Sequence, residues 1–250
     1  MTANGDAAIR LDHVTKAFDG RNVLDDVSFA VERGSGFCLL GRSGSGKSVT
    51  LKHIIGLIRP DAGRVLVEGE NVPTLSRRQL AHARKRMGFL FQACALFDSI
   101  TVGENVAFPL RRHTDLPNRE IVQRARARLE QVGLLREYDR MPAELSGGMR
   151  KRAALARAMA LDPSILLVDE PSAGLDPITS EEIDLLLLGA KRDQGKTLVV
   201  VTHNIPSART LGDELALLEG GRLVARGTAA DLDRSDNALV RRFMQAQGGG

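Results

Sequence analysis

The stretch from Gly36 to Leu57, GFCLLGRSGSGKSVTLKHIIGL, decides the fold. GFCLL is a short apolar run and makes a buried strand. After the glycine-rich loop, SVTLKHIIGL takes on helical spacing, with Pro60 as its stop. Between strand and helix, Gly41–Ser48 fits the pattern G-x-x-x-x-G-K-[ST]. Glycines in such a loop let backbone N–H groups converge on phosphate oxygens, and the N-terminus of the following helix adds positive potential. Lys47 is placed to reach the outer phosphates and the Ser48 hydroxyl to ligate Mg²⁺.

Outward from this loop, strands and helices alternate. SILLVDE and TLVVVTH are nearly all apolar, as strands covered on both faces must be. The first ends in two carboxylates, Asp169 and Glu170, at the strand mouth where α/β folds bind ligands. Asp169 suits a magnesium ligand and Glu170 a base that orients and deprotonates water. His203 closes the second strand. A lone strand-end histidine is usually structural, but beside a phosphate loop it reads as a γ-phosphate sensor. AIRLDHVTKAF and VLDDVSFAVERG alternate around the turn DGRN, RVLVEGENV is strand and turn, and ELALLEGGRLVARG is a glycine-turned hairpin.

From Leu75 to about Leu161 the character is helical. NREIVQRARARLEQVGLL places Val122, Ala125, Leu129 and Val132 on one face, with Asn118 as cap. EEIDLLLLGAKRDQG is a helix ending at Gly195, and SDNALVRRFMQAQGGG a short helix with a frayed end. The expected fold is α/β: residues 1–92 and 161–235 form a P-loop core with an antiparallel β subdomain, residues 93–160 an inserted helical subdomain, and 236–250 a tail.

Composition fits a soluble globular chain: 250 residues, 43% hydrophobic and 26% charged, with 35 basic and 31 acidic residues. A net charge of +4 is too small to argue for nucleic acid. Basic runs such as SRRQLAHARKR suit phosphates, an acidic membrane surface or a plain solvated helix face equally. Cys38 and Cys94 lack CxxC spacing and are expected to be reduced core residues of a cytosolic protein. MTANGDAAIR has neither the basic nor the apolar region of a signal peptide, and no apolar run reaches membrane-spanning length.

A second anion site lies in ELSGGMRKRAALARA, Glu144–Ala158. Ser146 is a good N-cap, Gly147 and Gly148 expose backbone donors, and a basic helix follows. With GRSGSGKS at 41–48, Gln92 after MGFLF, LSGGM at 145–149, ILLVDE at 165–170, SAGLD at 172–176 and His203, the chain from Ile9 to Gly227 resembles the ATP-binding subunits of ABC transporters. That resemblance implies a P-loop NTPase core of the RecA-like kind, ATP and Mg²⁺ as cofactors, and a head-to-tail homodimer. Each of two ATP molecules would lie between one subunit's P-loop and the other's LSGGM helix. Ser146, Gly147 and Gly148 have donors but no lysine, so they gain affinity only when a partner presents a γ-phosphate.

By the same resemblance, Gly41, Arg42, Ser43, Gly44, Ser45, Gly46, Lys47, Ser48 and Val49 contact the nucleotide. Phe18 stacks on adenine, although an aromatic after a strand is also an ordinary core residue. Gln92 touches Mg²⁺ and water and leads towards the permease, Asp176 signals between the two sites, and Glu170, His203 and Gln92 serve hydrolysis. Met149 departs from the glutamine that many relatives carry, which puts one side-chain contact in doubt.

Within the family, RKRMGFLFQACALFDSITVGENVAFPLRRHTDLP, LSGGMRKRAALARAMALDP and DEPSAGLDPITSEEID are similar to the ATPases of Mla-type phospholipid transport systems, which contain Mce proteins. This implies an MlaE-like permease docked on the stretch after Gln92, with Mce-domain (MlaD-like) and STAS-domain (MlaB-like) subunits, at the cytoplasmic face of the inner membrane. The alternatives are a small-solute importer ATPase, distinguished only at 93–115, and a non-transport ABC ATPase such as that of iron–sulfur cluster assembly. A nucleic-acid module of the repair or translation type is disfavoured, because the chain has neither a long coiled coil nor two cassettes.

Overall fold

The computed structural model describes residues 7–246. β1 (Ala7–Phe18) and β2 (Arg21–Glu32) form a hairpin about Asp19–Gly20 and lead into β3 (Gly36–Leu40) and α1 (Lys47–Ile54). β4 (Ala62–Val67), the two-residue β5 (Glu70–Asn71), α2 (Arg77–Arg84) and β6 (Met87–Leu90) follow. Three helices come next: α3 (Val102–His113), α4 (Asn118–Gln131) and α5 (Gly147–Ala158). The chain then runs through β7 (Ile165–Asp169), α6 (Pro177–Arg192), β8 (Thr197–Thr202), α7 (Ile205–Leu211), β9 (Glu214–Glu219), β10 (Arg222–Gly227), α8 (Ala229–Asp233) and α9 (Ala238–Gln245).

Two sheets result. One is antiparallel in the order β2-β1-β4-β5; the other has the order β10-β9-β3-β8-β7-β6 and is parallel apart from β10. The period-two rule sorts the second sheet's side chains into two cores. Cys38, Leu40, Val168 and Val200 face α3–α7, while Phe37, Leu39, Leu167, Val199 and Val201 face α1 and the antiparallel sheet. Burial on both faces explains why these strands lack polar alternation. α3–α5 leave the chain between β6 and β7, which pair directly from Met87↔Ile165 to Leu90↔Val168.

Four local expectations are corrected. β6 lies inside the stretch read as helical, because MGFL is too short an apolar run to show a period. α1 stops at Ile54 rather than near Pro60. Gly56 adopts φ 72°, its N–H reaches the His53 carbonyl and that of Leu57 reaches Lys52, which is a Schellman ending. Asn118 is the first helical residue of α4 and Pro117 its N-cap; Ala125, Leu129 and Val132 are in the core as expected, joined by Ile121, while Val122 packs half-buried against them. α6 begins at Pro177, well before EEID, because Asp176 caps it. The expected frayed end and the leader reading of the first residues fall outside the described residues.

Gly88 on β6 lies against the C-terminal end of α5. A Cβ there would collide with the Ala158 backbone carbonyl and with a Leu166 methyl. Gly88→Ala is therefore expected to destabilise the fold by about 1–3 kcal/mol, the usual cost of overpacking. A urea midpoint unchanged from the parent would contradict this close approach.

Candidate active site

β3, β7 and β8 are adjacent in the sheet, so their C-terminal ends bring the glycine loop, Asp169–Glu170 and His203 together. The loop itself is built by backbone geometry. Gly44 and Gly46 have φ of 79° and 106°, and a Cβ on Gly46 would sit 2.7 Å from the Val23 carbonyl. Lys47 opens α1 and is 6% exposed. Its ammonium donates to the carbonyls of Gly41 (2.8 Å) and Arg42 (3.0 Å) and lies 3.6 Å from Glu170 Oε1.

Ser48 Oγ donates to Asp169 Oδ1 at 2.9 Å. Burial pushes the Asp169 carboxyl above its usual range; the Ser48 hydrogen bond opposes this and the neighbouring Glu170 adds to it. Glu170 stands at φ 47°, a left-handed conformation unusual for a non-glycine residue and characteristic of functional turns. Its Oε2 accepts from Thr202 Oγ1 (3.1 Å), His203 N (3.3 Å) and His203 Nδ1 (3.0 Å). A carboxylate only accepts, so the His203 proton on this side is assigned to Nδ1. Oε2 is thus saturated and Oε1 is the oxygen left for chemistry.

Val23, Lys47, Ser48, Gln92, Glu170 and His203 help to line one cavity of about 240 Å³ with the glycine loop. A larger cavity, about 700 Å³, opens beside it between residues 172–175, α6 and α7, and shares His203. The smaller one holds the convergent ionisable groups, so chemistry is assigned there despite its size. The Ser45 hydroxyl is buried within the loop without a partner, and the space over Gly44 is open. A phosphate chain fits this cradle, and a hydroxyl beside a carboxylate is a donor set suited to Mg²⁺.

Other expected site residues lie apart from that cavity. Phe18 ends β1, 41% exposed, with the Lys16 ammonium 5.3 Å from its ring centroid. It does not line the cavity, although Val23 of the same hairpin does. Ser146 caps α5, its hydroxyl accepting from Met149 N at 3.2 Å. Gly148 packs so tightly on Thr179 that a Cβ would collide with its methyl. Asp176 caps α6 by accepting from Thr179 N (3.0 Å) and Thr179 Oγ1 (2.6 Å), and these bonds hold its carboxyl below the usual range. Ser146–Gly148 and Asp176 are therefore neighbours, joined through Thr179. Cys38 is buried as expected, but Cys94 is only half-buried, in the loop after Gln92.

Residues 24–173 match the ABC transporter family. The chain belongs to that family. It is an ATP-hydrolysing cassette, and its α/β architecture is that of the solved cassettes. A dimeric post-hydrolysis structure of the ATP-binding cassette MJ0796, bound to ADP and Pi, matches with a TM-score of 0.82 at 34% identity, covering 88% of this chain and 98% of that one. The intermembrane phospholipid transport system ATP-binding protein MlaF of Escherichia coli is 43% identical over 224 residues, 90% of this chain and 83% of that protein. The probable ribonucleotide transport ATP-binding protein mkl of Mycobacterium leprae is 41% identical over 240 residues, 96% of this chain and 69% of that protein.

The order of motifs is legible in the cassette's sequence, whereas Thr202 and Lys151 carry no motif signal. Thr202 could have been found as the one hydroxyl at the end of an apolar strand next to His203. Lys151 was hidden in the basic run RKR and is 2% exposed.

Proposed function

We propose that this cassette hydrolyses ATP as a homodimer beneath a membrane permease and powers phospholipid transport across the cell envelope. The observation that supports ATP chemistry best is the convergence of Lys47, Ser48, Asp169, Glu170 and His203 on one cradle. The lipid assignment rests on similarity to MlaF over most of both chains.

Lys47 and the loop N–H groups hold the β- and γ-phosphates, with Lys47 exchanging its two carbonyl partners for phosphate oxygens. Ser48, Asp169 and Gln92 are the residues to hold Mg²⁺, which when bound neutralises charge building on the phosphate oxygens. Glu170 Oε1 takes a proton from the attacking water as the water oxygen bonds the γ-phosphorus and the bond to ADP breaks. His203, fixed by Nδ1 on Glu170, turns Nε2 towards the γ-phosphate. Phe18 stacks on adenine. Ser146, Gly147 and Gly148 of the partner subunit close over the γ-phosphate, and Asp176 links the two sites through Thr179. Loss of phosphate opens the dimer, because nucleotide binds the closed state better than the open one.

No helix among the described residues is long and apolar enough to cross a membrane; the proposed attachment is through a permease partner. A groove of about 350 Å³ between β6, α3 and α5 suits a permease's coupling helix. Phe97 and Phe108, each 44% exposed and 4.9 Å apart at their ring centroids, form its rim. An MlaE-like permease is the proposed occupant, with MlaD-like and MlaB-like subunits in the assembly and the cytoplasmic face of the inner membrane as its location. Phe97→Asp with Phe108→Asp is expected to abolish co-purification with the permease while ATP binding by the free cassette persists. Retained permease would move the docking surface elsewhere.

Affinity purification from detergent-solubilised native membranes, with mass spectrometry of proteins and lipids, tests the whole assignment. An MlaE-like permease, an Mce protein and phospholipid are the expected catch. A different permease would transfer the substrate to that permease's solute, and soluble partners alone would favour a non-transport ATPase.

A further inference from the structure

One turn past the N-terminal glycines of α5, a buried lysine has no part in the scheme above. Lys151 donates its ammonium to the backbone carbonyl of Gln92 at 2.7 Å and to that of Glu170 at 3.3 Å. Burial lowers its pKa, while negative charge on Cys94 (when ionised) and on the Asp169 and Glu170 carboxylates opposes the shift. A buried ammonium is tolerated only where its donors are matched, and here the partners come from two other elements. One is the end of β7; the other is the loop joining β6 to α3.

Both places carry unusual backbone. Glu170 has φ 47°, and Cys94 and Ala95 have φ 62° and 53°. Left-handed conformations at non-glycine residues persist where the surroundings over-determine them. Among the described residues, the Glu170 carbonyl otherwise accepts only a long hydrogen bond, from Ala173 N (3.3 Å). Farther along α5, Arg157 repeats the arrangement, donating to the carbonyls of Cys94 (2.9 Å) and Ala95 (2.7 Å). The helix capped by Ser146 thus grips the backbone of the 92–95 loop with three hydrogen bonds and that of Glu170 with one.

We propose that Lys151 is a positioning residue for ATP hydrolysis: its ammonium fixes the Glu170 peptide to α5, with the Gln92 carbonyl as second anchor, so that Glu170 Oε1 is held in line for the attacking water. This rests on Glu170 as the base. The consequence is a mechanical link, because tilting α5 at its Ser146 end moves the base and the 92–95 loop together. Among the described residues Lys151 has no hydrogen bond to the glycine loop, so the loss is expected in hydrolysis rather than in ATP affinity.

The test is a double-mutant cycle in the full-length cassette, with single-turnover hydrolysis and equilibrium ATP binding measured for each protein. Lys151→Met keeps the unbranched chain, one atom shorter, and removes its charge and donors. Alone, it is expected to slow hydrolysis by about 10- to 100-fold, the scale of an ångström's misplacement, with ATP affinity changed by no more than about twofold. In the Glu170→Gln background it is expected to slow the residual reaction by less than about threefold, because the group it positions no longer acts as a base. Lys151→Gln, which retains a donor for one carbonyl, should be intermediate and takes the same place in the cycle if the methionine variant does not fold. Equal losses in both backgrounds would make Lys151 a general structural residue and overturn the proposal, as would unchanged hydrolysis by Lys151→Met. Near-normal turnover by Glu170→Gln alone would instead remove Glu170 as the base, a distinguishable failure.

Discussion

Glu170→Gln is expected to slow ATP turnover by roughly 10²–10⁴-fold, the usual worth of a general base, and to leave ATP binding intact. The geometry explains why the two effects separate. Oε2 already accepts three hydrogen bonds from Thr202 and His203, so the amide oxygen of glutamine takes that position. Its NH₂ group then replaces Oε1, the oxygen assigned to the attacking water. The amide has no useful basicity, and hydrolysis loses its proton acceptor. Lys47, 3.6 Å from Oε1, meets another donor there but keeps the Gly41 and Arg42 carbonyls. The phosphate cradle is thus undisturbed, and ATP should accumulate on the variant. Steady-state phosphate release together with filter binding of labelled ATP checks both halves. Turnover within a few-fold of the parent would take the base role from Glu170; loss of binding would mean that the substitution disturbs the glycine loop.

The features that local chemistry dictates were legible in the sequence. GFCLL is a strand with the expected limits, because five apolar residues before a glycine loop admit little else. The paired carboxylates and His203 meet because apolar strands covered on both faces lie side by side in one parallel sheet, which places their C-terminal ends at one edge. Less legible was anything set by long-range packing. MGFL has no period, so β6 is recognised only once β7 is there to pair with it. Lys151 has the same charge as its neighbours in RKR, and only the folded helix shows that it points inward while Arg150 stays exposed. Asp176 is legible as part of SAGLD, whereas its capping of α6 depends on where that helix begins. Residue types announce chemistry over short spacings, but burial and direction come from the whole fold.

Ser146→Arg is expected to abolish ATP-driven dimerisation, and with it nearly all hydrolysis, while the free chain still binds ATP. Ser146 and Gly147 are exposed at the start of α5, outside the cavity that holds Lys47 and Ser48. An exposed helix N-terminus with free donors and no lysine holds a phosphate weakly by itself, so its contribution appears only when a partner supplies the nucleotide. A guanidinium-bearing side chain would fill the space where the partner's γ-phosphate must approach the backbone N–H groups. The substitution also removes the cap on Met149 N, at a cost of about 1 kcal/mol. The buried run from Ala153 to Ala156 keeps α5 in place despite that loss. Ser146→Ala separates the two effects, since it loses the cap without adding bulk and should still dimerise. Both are best made in the Glu170→Gln background, where slow turnover preserves the ATP-bound dimer for light scattering with magnesium and ATP. A dimer from the arginine variant equal to that of its parent would show that the signature turn does not cover the partner's nucleotide, and the second anion site would need another ligand. Monomers from the arginine variant and dimers from the alanine variant would instead give the two anion sites of one chain a single explanation: each is half of a site that only two chains complete.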